Sequence, residues 1–170
     1  MVRWVATGQH GVQEPVLSKD SLSSATKLEI TRQFFVNIAP LTQAVSLLFS
    51  AVDKKVHAKY VGTYQQALRT GALRIMTATN RACFQGLVVV RNLAAQPHKD
   101  GSDYKKGWVA MCCFGDFTGG ELVIPVLGMK FRFQPGDVIF FRSTLLEHYV
   151  LPFIGDRTSL VFFTHHNLMN

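Results

Sequence analysis

His98 and Asp100, two residues apart in the segment QPHKDGSDYKKGW, are the residues whose types and spacing point most directly to chemistry. In extended backbone such a pair projects from one face of the chain and can bind one ion. His148 follows much later, at the start of a predicted strand that a folded sheet can bring across to the pair. Two imidazoles and a carboxylate on one face of an octahedron leave the other positions open, which suits non-haem iron(II) and oxygen chemistry. We therefore predict a metal site at these three residues, although a His-x-Asp pair by itself also fits a solvated loop.

A second pair, Arg157 and Ser159, follows the distal histidine in the string HYVLPFIGDRTSLVFF. Two apart on one predicted strand, the two side chains face the same way, and a guanidinium with a hydroxyl forms a fork for a carboxylate. A buried arginine without a partner would be costly. The alternative is an arginine at the surface or in a salt bridge, so the pair predicts a carboxylate site only together with the metal residues.

The elements that position these residues are predicted strands. From residue 72 onward the hydrophobic pattern has strand character, and turn-forming sets rich in Gly, Pro, Asp and Ser separate the runs. Short strands at this spacing favour a sandwich or barrel, and a two-sheet jelly roll accommodates them. The predicted strands are Leu73 to Thr77, Gly86 to Leu93, Trp108 to Phe114, Glu121 to Ile124, Met129 to Phe133, Val138 to Phe141, His148 to Leu151 and Ser159 to Thr164.

Helical periodicity precedes the strands. Ser24 to Phe35 is one predicted helix, a longer one runs from Pro40 through Val56, and a short one covers Tyr64 to Leu68. Residues 1–22 lack periodicity and are expected to be a flexible start. The expected fold is a single α+β domain over residues 1–170, with a helical support at 23–71 and a double-stranded β-helix (jelly roll) as catalytic core at 72–166.

Composition agrees with one compact domain. The chain has 170 residues, of which 48% are hydrophobic and only 17% are charged. Its apolar runs are strand-length, so no membrane span is expected, and the start of the sequence lacks the apolar core of a secretory signal. We expect an intracellular location, nuclear or cytoplasmic, with Cys83, Cys112 and Cys113 reduced. Cys112 and Cys113 are adjacent on a predicted strand, so their side chains should point to opposite faces and cannot readily bridge. The net charge of +7, concentrated in the first half, is compatible with a nucleic acid partner or with an ordinary basic protein.

The order His-x-Asp, distal His, then Arg-x-Ser resembles the iron(II)/2-oxoglutarate dioxygenase superfamily, whose fold is a double-stranded β-helix. The resemblance implies that His98, Asp100 and His148 hold iron. It also implies that 2-oxoglutarate chelates the iron with its distal carboxylate on Arg157 and Ser159, and that O2 takes the last position. In that chemistry 2-oxoglutarate is oxidatively decarboxylated to succinate and a substrate C–H bond is hydroxylated.

Within the superfamily, three segments are most similar to the TET/JBP-like oxygenases of fungi, which oxidise methyl groups on nucleobases in DNA. The segments are HKDGSDYKKGW, FTGGELVIPVLGMKFRFQPGDVIFFRSTLLEH and SLVFFTHH. The chain departs from the animal TET enzymes because three cysteines cannot build their cysteine-rich zinc module. The resemblance implies a methylated base in DNA or RNA as substrate. The alternatives are a hydroxylase of peptidyl proline or of a free small molecule, and an inactive binding module.

Four further residues are candidates for ligand contacts. Asn92 precedes the metal pair, where such folds place a group that touches the co-substrate; the alternative is a turn residue at a strand end. Asp103 and Tyr104 follow the metal pair beside two lysines, and an aromatic ring there could stack a base. Arg142 could reach a phosphate or the site mouth, against the alternative of a surface salt bridge. The adjacent histidines near the end of the last strand are interpreted as structural.

Overall fold

The computed structural model describes residues 23–69 and 81–169, together with two short strands, Arg3–Trp4 (β1) and Val16–Leu17 (β2). These two strands pair antiparallel, Arg3 with Leu17 and Trp4 with Val16. The strand predicted at Leu73 to Thr77 lies outside the described residues. The description therefore covers the predicted metal residues and most of the predicted sheet.

Helices of the described region form one layer. They are α1 (Ala25–Asn37), α2 (Ala39–Val52) and α3 (Lys54–Arg69). The helix predicted from Pro40 through Val56 is divided at Asp53, whose carboxylate accepts a hydrogen bond from Val56 N at 3.0 Å and so starts α3. The short helix predicted at Tyr64 to Leu68 is only the last part of α3, because this cap begins the helix much earlier.

The strands that follow form two antiparallel sheets. The larger has the order β3-β9-β4-β7 and the smaller the order β6-β5-β8. The larger sheet contains β3 (Gly86–Arg91), β9 (Phe153–Phe163), β4 (Val109–Gly119) and β7 (Val138–Phe141); the smaller contains β6 (Met129–Phe131), β5 (Leu122–Ile124) and β8 (Tyr149–Val150). With the helices these sheets confirm the predicted α+β class.

Strands β4 and β9 extend beyond the predicted bounds, and two glycines explain the difference. The sequence predicts a turn at Gly155-Asp156, but Gly155 pairs with Phe117 inside the β4–β9 ladder. Gly115 pairs with Arg157 in the same ladder, and both glycines have positive φ (119° and 111°). A Cβ at either position would collide with a backbone carbonyl of the other strand, so glycine is required by close approach rather than by a chain reversal.

The larger sheet lies between the helices and the smaller sheet. On one face Ala110 and Cys112 pack with helical residues such as Phe49 and Tyr60. On the other face the alternate residues of β4 pack against the smaller sheet, where Leu122 is fully buried. Cys112 and Cys113 therefore face opposite layers as predicted, and they and Cys83 are buried free thiols.

Among the described residues no single helix is long and apolar enough to cross a bilayer. Helices α1 and α2 meet the length and composition criteria only when taken together, and they are bent by 51° relative to each other.

Candidate metal centre and adjoining cavities

The three predicted metal residues converge on one point between the sheets. His98 and His148 are paired as an antiparallel bridge, with His98 N donating to His148 O at 3.1 Å and His148 N donating to His98 O at 3.0 Å. Asp100 N donates to Ser143 O at 3.1 Å, which ties the loop after His98 to the segment before His148. Backbone pairing thus brings together residues that are distant in sequence.

The donor atoms of the three side chains lie within 4.8 Å of one another. Asp100 Oδ1 is 3.6 Å from His98 Nε2, and Asp100 Oδ2 is 3.9 Å from His148 Nε2. Two donors bound side by side to one ion at about 2 Å each lie about 3 Å apart, so side-chain movements of roughly an ångström would close the set on a metal. Two imidazoles and one carboxylate are the donor set of non-haem iron(II) oxygenases, and the residues fit that ion.

Backbone carbonyls orient both imidazoles. His98 Nδ1 is 2.6 Å from Gln96 O, and His148 Nδ1 is 3.0 Å from Leu146 O. A carbonyl only accepts, so Nδ1 carries the proton in each ring and the Nε2 lone pair is free. Burial lowers the pKa of His148, whose ring also packs edge-on against Phe141 at 4.7 Å between centroids. The lowered pKa favours the neutral ring that a metal requires, and the packing against Phe141 fixes the ring position.

A cavity of about 260 Å³, which we call the inner cavity, adjoins the metal residues. His98, Asp100 and His148 line one part of it, and Ser159 and Met111 of the larger sheet line another. Ser159, one of the two residues of the predicted carboxylate fork, therefore lies in the same cavity as the metal residues.

Arg157 lies two residues before Ser159 on β9 and is 2% exposed. Its guanidinium is 5.1 to 5.3 Å from the ring centroids of Phe117, Phe133 and Phe153, and Nη1 donates to Gly120 O at 3.0 Å. Within the described part of the chain, Nε and Nη2 are buried and have no hydrogen-bond partner. Burial lowers the pKa of Arg157, and the neighbouring Cys113 sulfur partly opposes this shift. Two buried, unpartnered donors of a cation are what a bound carboxylate would satisfy.

A second cavity of about 320 Å³, the outer cavity, shares Val88, Asp100 and Val161 with the inner one. Asp103 and His165 also line it, and these two residues form an isolated antiparallel bridge. Burial, reinforced by the neighbouring Asp100 carboxylate, raises the pKa of Asp103 to about 8. The outer cavity thus presents a carboxyl and an imidazole next to a metal residue.

His165, one of the two adjacent histidines that the sequence analysis interprets as structural, lines the outer cavity and is a further candidate site residue. Its Nδ1 is 2.9 Å from Ser102 O, which fixes the ring. Burial lowers the pKa of His165. The alternation of β9 was the signal that could have found it: Ser159, Val161 and Phe163, two residues apart, line the cavities, and the same alternation places position 165 there although the strand ends at Phe163.

The remaining predicted ligand residues lie elsewhere. Asn92 has a φ of 51° at the end of β3, and its side chain accepts from Arg157 N at 2.7 Å and donates to Asp156 Oδ1 at 2.9 Å. Tyr104 turns towards α3, where Lys59 Nζ donates to its hydroxyl at 2.9 Å. These contacts favour structural roles, and the predicted co-substrate contact of Asn92 and base contact of Tyr104 remain predictions.

Arg142 also points away from the metal residues. Its guanidinium stacks over Trp108 at 5.1 Å from the ring centroid, and the Trp108 indole donates to Asp53 Oδ2 at 3.1 Å. Arg142 lines a third cavity rather than the inner or outer one. Its predicted contact with substrate remains a prediction.

A His-Asp-His donor set between antiparallel sheets, together with a buried guanidinium on β9, is the combination expected of non-haem iron oxygenase domains that use 2-oxoglutarate. The chain belongs to the Tet_JBP family, the oxygenase domain of the 2OGFeDO superfamily, which it matches over residues 4–166. Membership confirms the predicted TET/JBP likeness and the predicted cofactors, iron(II), 2-oxoglutarate and O2.

Two relatives illustrate the likeness. Over 93 residues the chain is 36% identical to the bifunctional helicase and thymine dioxygenase JBP2 of Trypanosoma cruzi (strain CL Brener), a match that covers 51% of this chain and 8% of JBP2. The structure of NgTET1 in complex with 5mC DNA superposes with a TM-score of 0.67 at 20% identity, over 99% of this chain and 61% of that one. The chain thus spans only part of the length of either relative, and the likeness to the NgTET1 structure concerns the fold alone.

Proposed function

We propose that this chain is an iron(II)- and 2-oxoglutarate-dependent dioxygenase that hydroxylates the methyl group of a methylated nucleobase in DNA or RNA. The observation that carries the proposal is that two cavities meet at Asp100. The inner one contains Ser159 of the predicted carboxylate fork, and the outer one presents polar groups to an incoming ligand. An oxygenase needs these two spaces, for co-substrate and substrate, beside one metal.

In the proposed site, iron would be held by Nε2 of His98, Nε2 of His148 and the carboxylate of Asp100. The carbonyls of Gln96 and Leu146 fix the ring orientation, which limits the reorganisation needed when the metal binds. When bound, iron(II) supplies the oxidising chemistry, in which O2 and 2-oxoglutarate give succinate and CO2 and one oxygen atom enters the substrate C–H bond.

The proposed role of Arg157 and Ser159 is to bind the distal carboxylate of 2-oxoglutarate. Nε and Nη2 of Arg157 are the donors left over after Nη1 bonds to Gly120 O. The three surrounding phenyl rings exclude water, so a carboxylate there would interact strongly with the guanidinium. Orientation of the co-substrate would therefore be set by β9.

The proposed substrate space is the outer cavity. Asp103 and His165 can bond to the polar edge of a base, while Val88, Val161 and Phe163 provide an apolar wall for its face or methyl group. The volume of about 320 Å³ is at the lower end of small-ligand sites and suits one base rather than a folded polypeptide. A base in a duplex would have to be flipped from its stack to enter.

Basic residues around the outer cavity support a nucleic acid substrate. Lys99 lines the cavity, and Lys105 and Lys106 are exposed on the same loop. The net charge of +7 lowers the free energy of approach to phosphates.

Three wider assignments accompany this proposal. The two facing sheets form the double-stranded β-helix expected for the superfamily, with the His98–His148 bridge extending the smaller sheet. Residues 1–170 make one catalytic domain. The chain acts inside the cell, in the nucleus or cytoplasm, which the buried free thiols of Cys83, Cys112 and Cys113 support.

The test is succinate formation by iron-loaded protein given O2 and 2-oxoglutarate, with mass spectrometry of the substrate. The panel contains single- and double-stranded DNA with 5-methylcytosine or thymine, the matched RNA, unmethylated oligonucleotides, a proline-rich peptide and free amino acids. We expect a gain of one oxygen atom on a methylated base only. Oxidation of the peptide or of free amino acids alone would instead support the alternative hydroxylase.

Variants tie the result to the site. His98→Ala should abolish turnover and metal binding while the protein stays folded. His165→Gln should lower oxidation of the base at least tenfold, by loss of one buried contact to the substrate, with metal binding unchanged. His166→Gln is the matched control, because the exposed His166 ring reaches the same Ser102 O at 2.9 Å but does not line the cavity. Equal losses in both histidine variants would argue against the proposed base contact.

A further inference from the structure

A third cavity of about 330 Å³ lies on the side of the molecule where β7 and β6 are edge strands of their sheets. Trp108, Phe131, Ile139 and Leu145 are among the side chains that line it, and none of these is a residue of the metal centre. We call it the edge cavity. Its volume is larger than that of the inner cavity and falls in the range of small-molecule sites.

The mouth of the edge cavity is apolar and faces solvent. Leu127 and Leu145 line the cavity and are 50% and 52% exposed, and Val126 and Met129 beside Leu127 are 72% and 52% exposed. Single exposed apolar residues are ordinary, but a contiguous set around a cavity marks a binding site. The physical driving force for a ligand here is removal of this surface from water.

Arg142 is the charged residue among the side chains that line this cavity. Its guanidinium carbon is 5.1 Å from the centroid of the Trp108 ring. Within the described residues its side chain has no hydrogen bond or ion pair, although it interacts with the Asp53 carboxylate at longer range. Guanidinium groups bind carboxylates through paired hydrogen bonds. The cavity therefore combines an apolar body with one cationic anchor.

We propose that the edge cavity binds a small amphipathic carboxylate, with an apolar chain or ring of roughly ten non-hydrogen atoms inside and its carboxylate on Arg142. A nucleobase is a poor fit, because its several polar edge atoms would find only Arg142 as a polar side chain. The co-substrate is also a poor fit, because 2-oxoglutarate has a carboxylate at both ends and the cavity has a cation at one place only.

The edge cavity is separated from the metal centre by a thin wall. Phe141 and Leu146 line the edge cavity, while the Phe141 ring packs on His148 at 4.7 Å and Leu146 O accepts from His148 Nδ1. The two sites therefore share residues of the wall but no ligand-binding group. The proposal does not rest on the oxygenase function, and either can fail without the other.

The test is calorimetric titration of the metal-free protein with octanoate and, as its uncharged match, octanol. We expect octanoate to bind with a Kd of about a millimolar or tighter. Leu145→Trp, at an exposed position on the mouth, should weaken octanoate at least tenfold by filling the cavity. Arg142→Gln should weaken octanoate about tenfold and change octanol less than twofold, because only the charged hydrogen bonds are lost.

Two matched controls locate the ligand. Arg132→Gln removes the same charge from an exposed position that does not line the cavity and should change octanoate binding less than twofold. Arg157→Gln should also leave it unchanged, which separates the edge cavity from the proposed 2-oxoglutarate site. A variant is used for comparison only if its thermal unfolding temperature matches that of the parent protein. Magnetisation transfer from octanoate to the Trp108 indole, measured by NMR, provides a second readout.

Absence of octanoate binding below about ten millimolar would overturn the site. Equal binding of octanoate and octanol, with no effect of Arg142→Gln, would overturn the carboxylate class. Loss of binding in Arg157→Gln alone would place the ligand in the inner cavity and would likewise refute the proposal.

Discussion

Replacing Arg157 by methionine separates the contribution of this residue to folding from its contribution to ligand binding. The guanidinium makes one charged hydrogen bond, to Gly120 O at 3.0 Å, and lies over three phenyl rings. Methionine is flexible, has a similar length and contacts aromatic rings favourably. Arg157→Met therefore keeps most of the packing and removes the charge.

The stability change is the difference between opposing terms. A hydrogen bond from a charged donor contributes about 1.5 to 3 kcal/mol, and each cation–π contact contributes roughly 0.5 to 2 kcal/mol. Against this, burying a charge costs several kcal/mol, and no carboxylate offsets that cost within the described residues. We expect the free energy of unfolding of the metal-free protein to change by no more than about 2 kcal/mol, in either direction.

Binding of 2-oxoglutarate should change far more. Loss of a buried, bidentate carboxylate contact corresponds to about 3 kcal/mol, or about a hundredfold in Kd. Affinity is measured by calorimetry with a non-oxidisable divalent metal in place of iron(II), and stability by urea unfolding. Arg91→Met is the matched control, because it makes the same substitution at an exposed arginine. The Arg91 side chain makes only a long ion pair, with 3.8 Å between its Nη2 and Asp156 Oδ1.

Two results would refute this reasoning. A 2-oxoglutarate affinity within threefold of the parent protein would show that the carboxylate binds elsewhere. A loss of more than about 4 kcal/mol in unfolding free energy would show that the guanidinium is satisfied by the protein itself and needs no ligand.

Three further substitutions test other contacts. Gly120→Ala should cost about 1 to 2 kcal/mol of stability, because φ is +75°, and should weaken 2-oxoglutarate binding, because the new Cβ would lie 2.5 Å from Arg157 Nη1. Gly128→Ala, with φ +61° and open space around its Cβ, should show the same strain by urea unfolding without the binding loss. Asp53→Ala should cost about 2 kcal/mol at pH 7, through loss of the α3 cap and of the Trp108 hydrogen bond. The cap hydrogen bond lowers the pKa of Asp53, so this stability is present above the unfolded pKa of about 4 and is lost as the pH falls through the folded pKa. Urea unfolding at pH 7 and pH 3 should therefore show a smaller difference between parent and variant at the lower pH, and an equal difference would argue against ionisation of the cap.

Much of the larger sheet and all three metal residues could be predicted because the relevant signals are local. Alternation along β4 fixes which residues face each layer, and it placed Cys112 and Cys113 on opposite faces. The two-residue spacing of His98 and Asp100, and likewise that of Arg157 and Ser159, predicts that both members of a pair lie on one face of the chain. These inferences need only the backbone period and the chemistry of the side chains.

Other features depend on partners that are distant in sequence. Gly155 with the following aspartate has the residue types of a turn, but the backbone carbonyl of Asp116 on the opposite strand is what requires glycine there. The predicted base contact of Tyr104 took no account of α3, whose Lys59 bonds to the tyrosine hydroxyl. In both cases the structure adds a contact with a residue that is distant in sequence, and local propensity contains no information about such contacts.

Backbone bridges connect the metal centre and the proposed substrate cavity into one unit. His98 bridges to His148 on the side of the smaller sheet, and Asp103 bridges to His165 just beyond β9. The short loop between His98 and Asp103 is therefore held at both ends, with Asp100 in its middle bonded to Ser143 O. In a loop fixed at both ends, a movement of the metal residue Asp100 also moves Asp103, which lines the outer cavity. Backbone hydrogen bonds therefore set the distance between the metal residues and the proposed base contact at Asp103. Insertions in this loop should disturb metal binding and the proposed substrate position together.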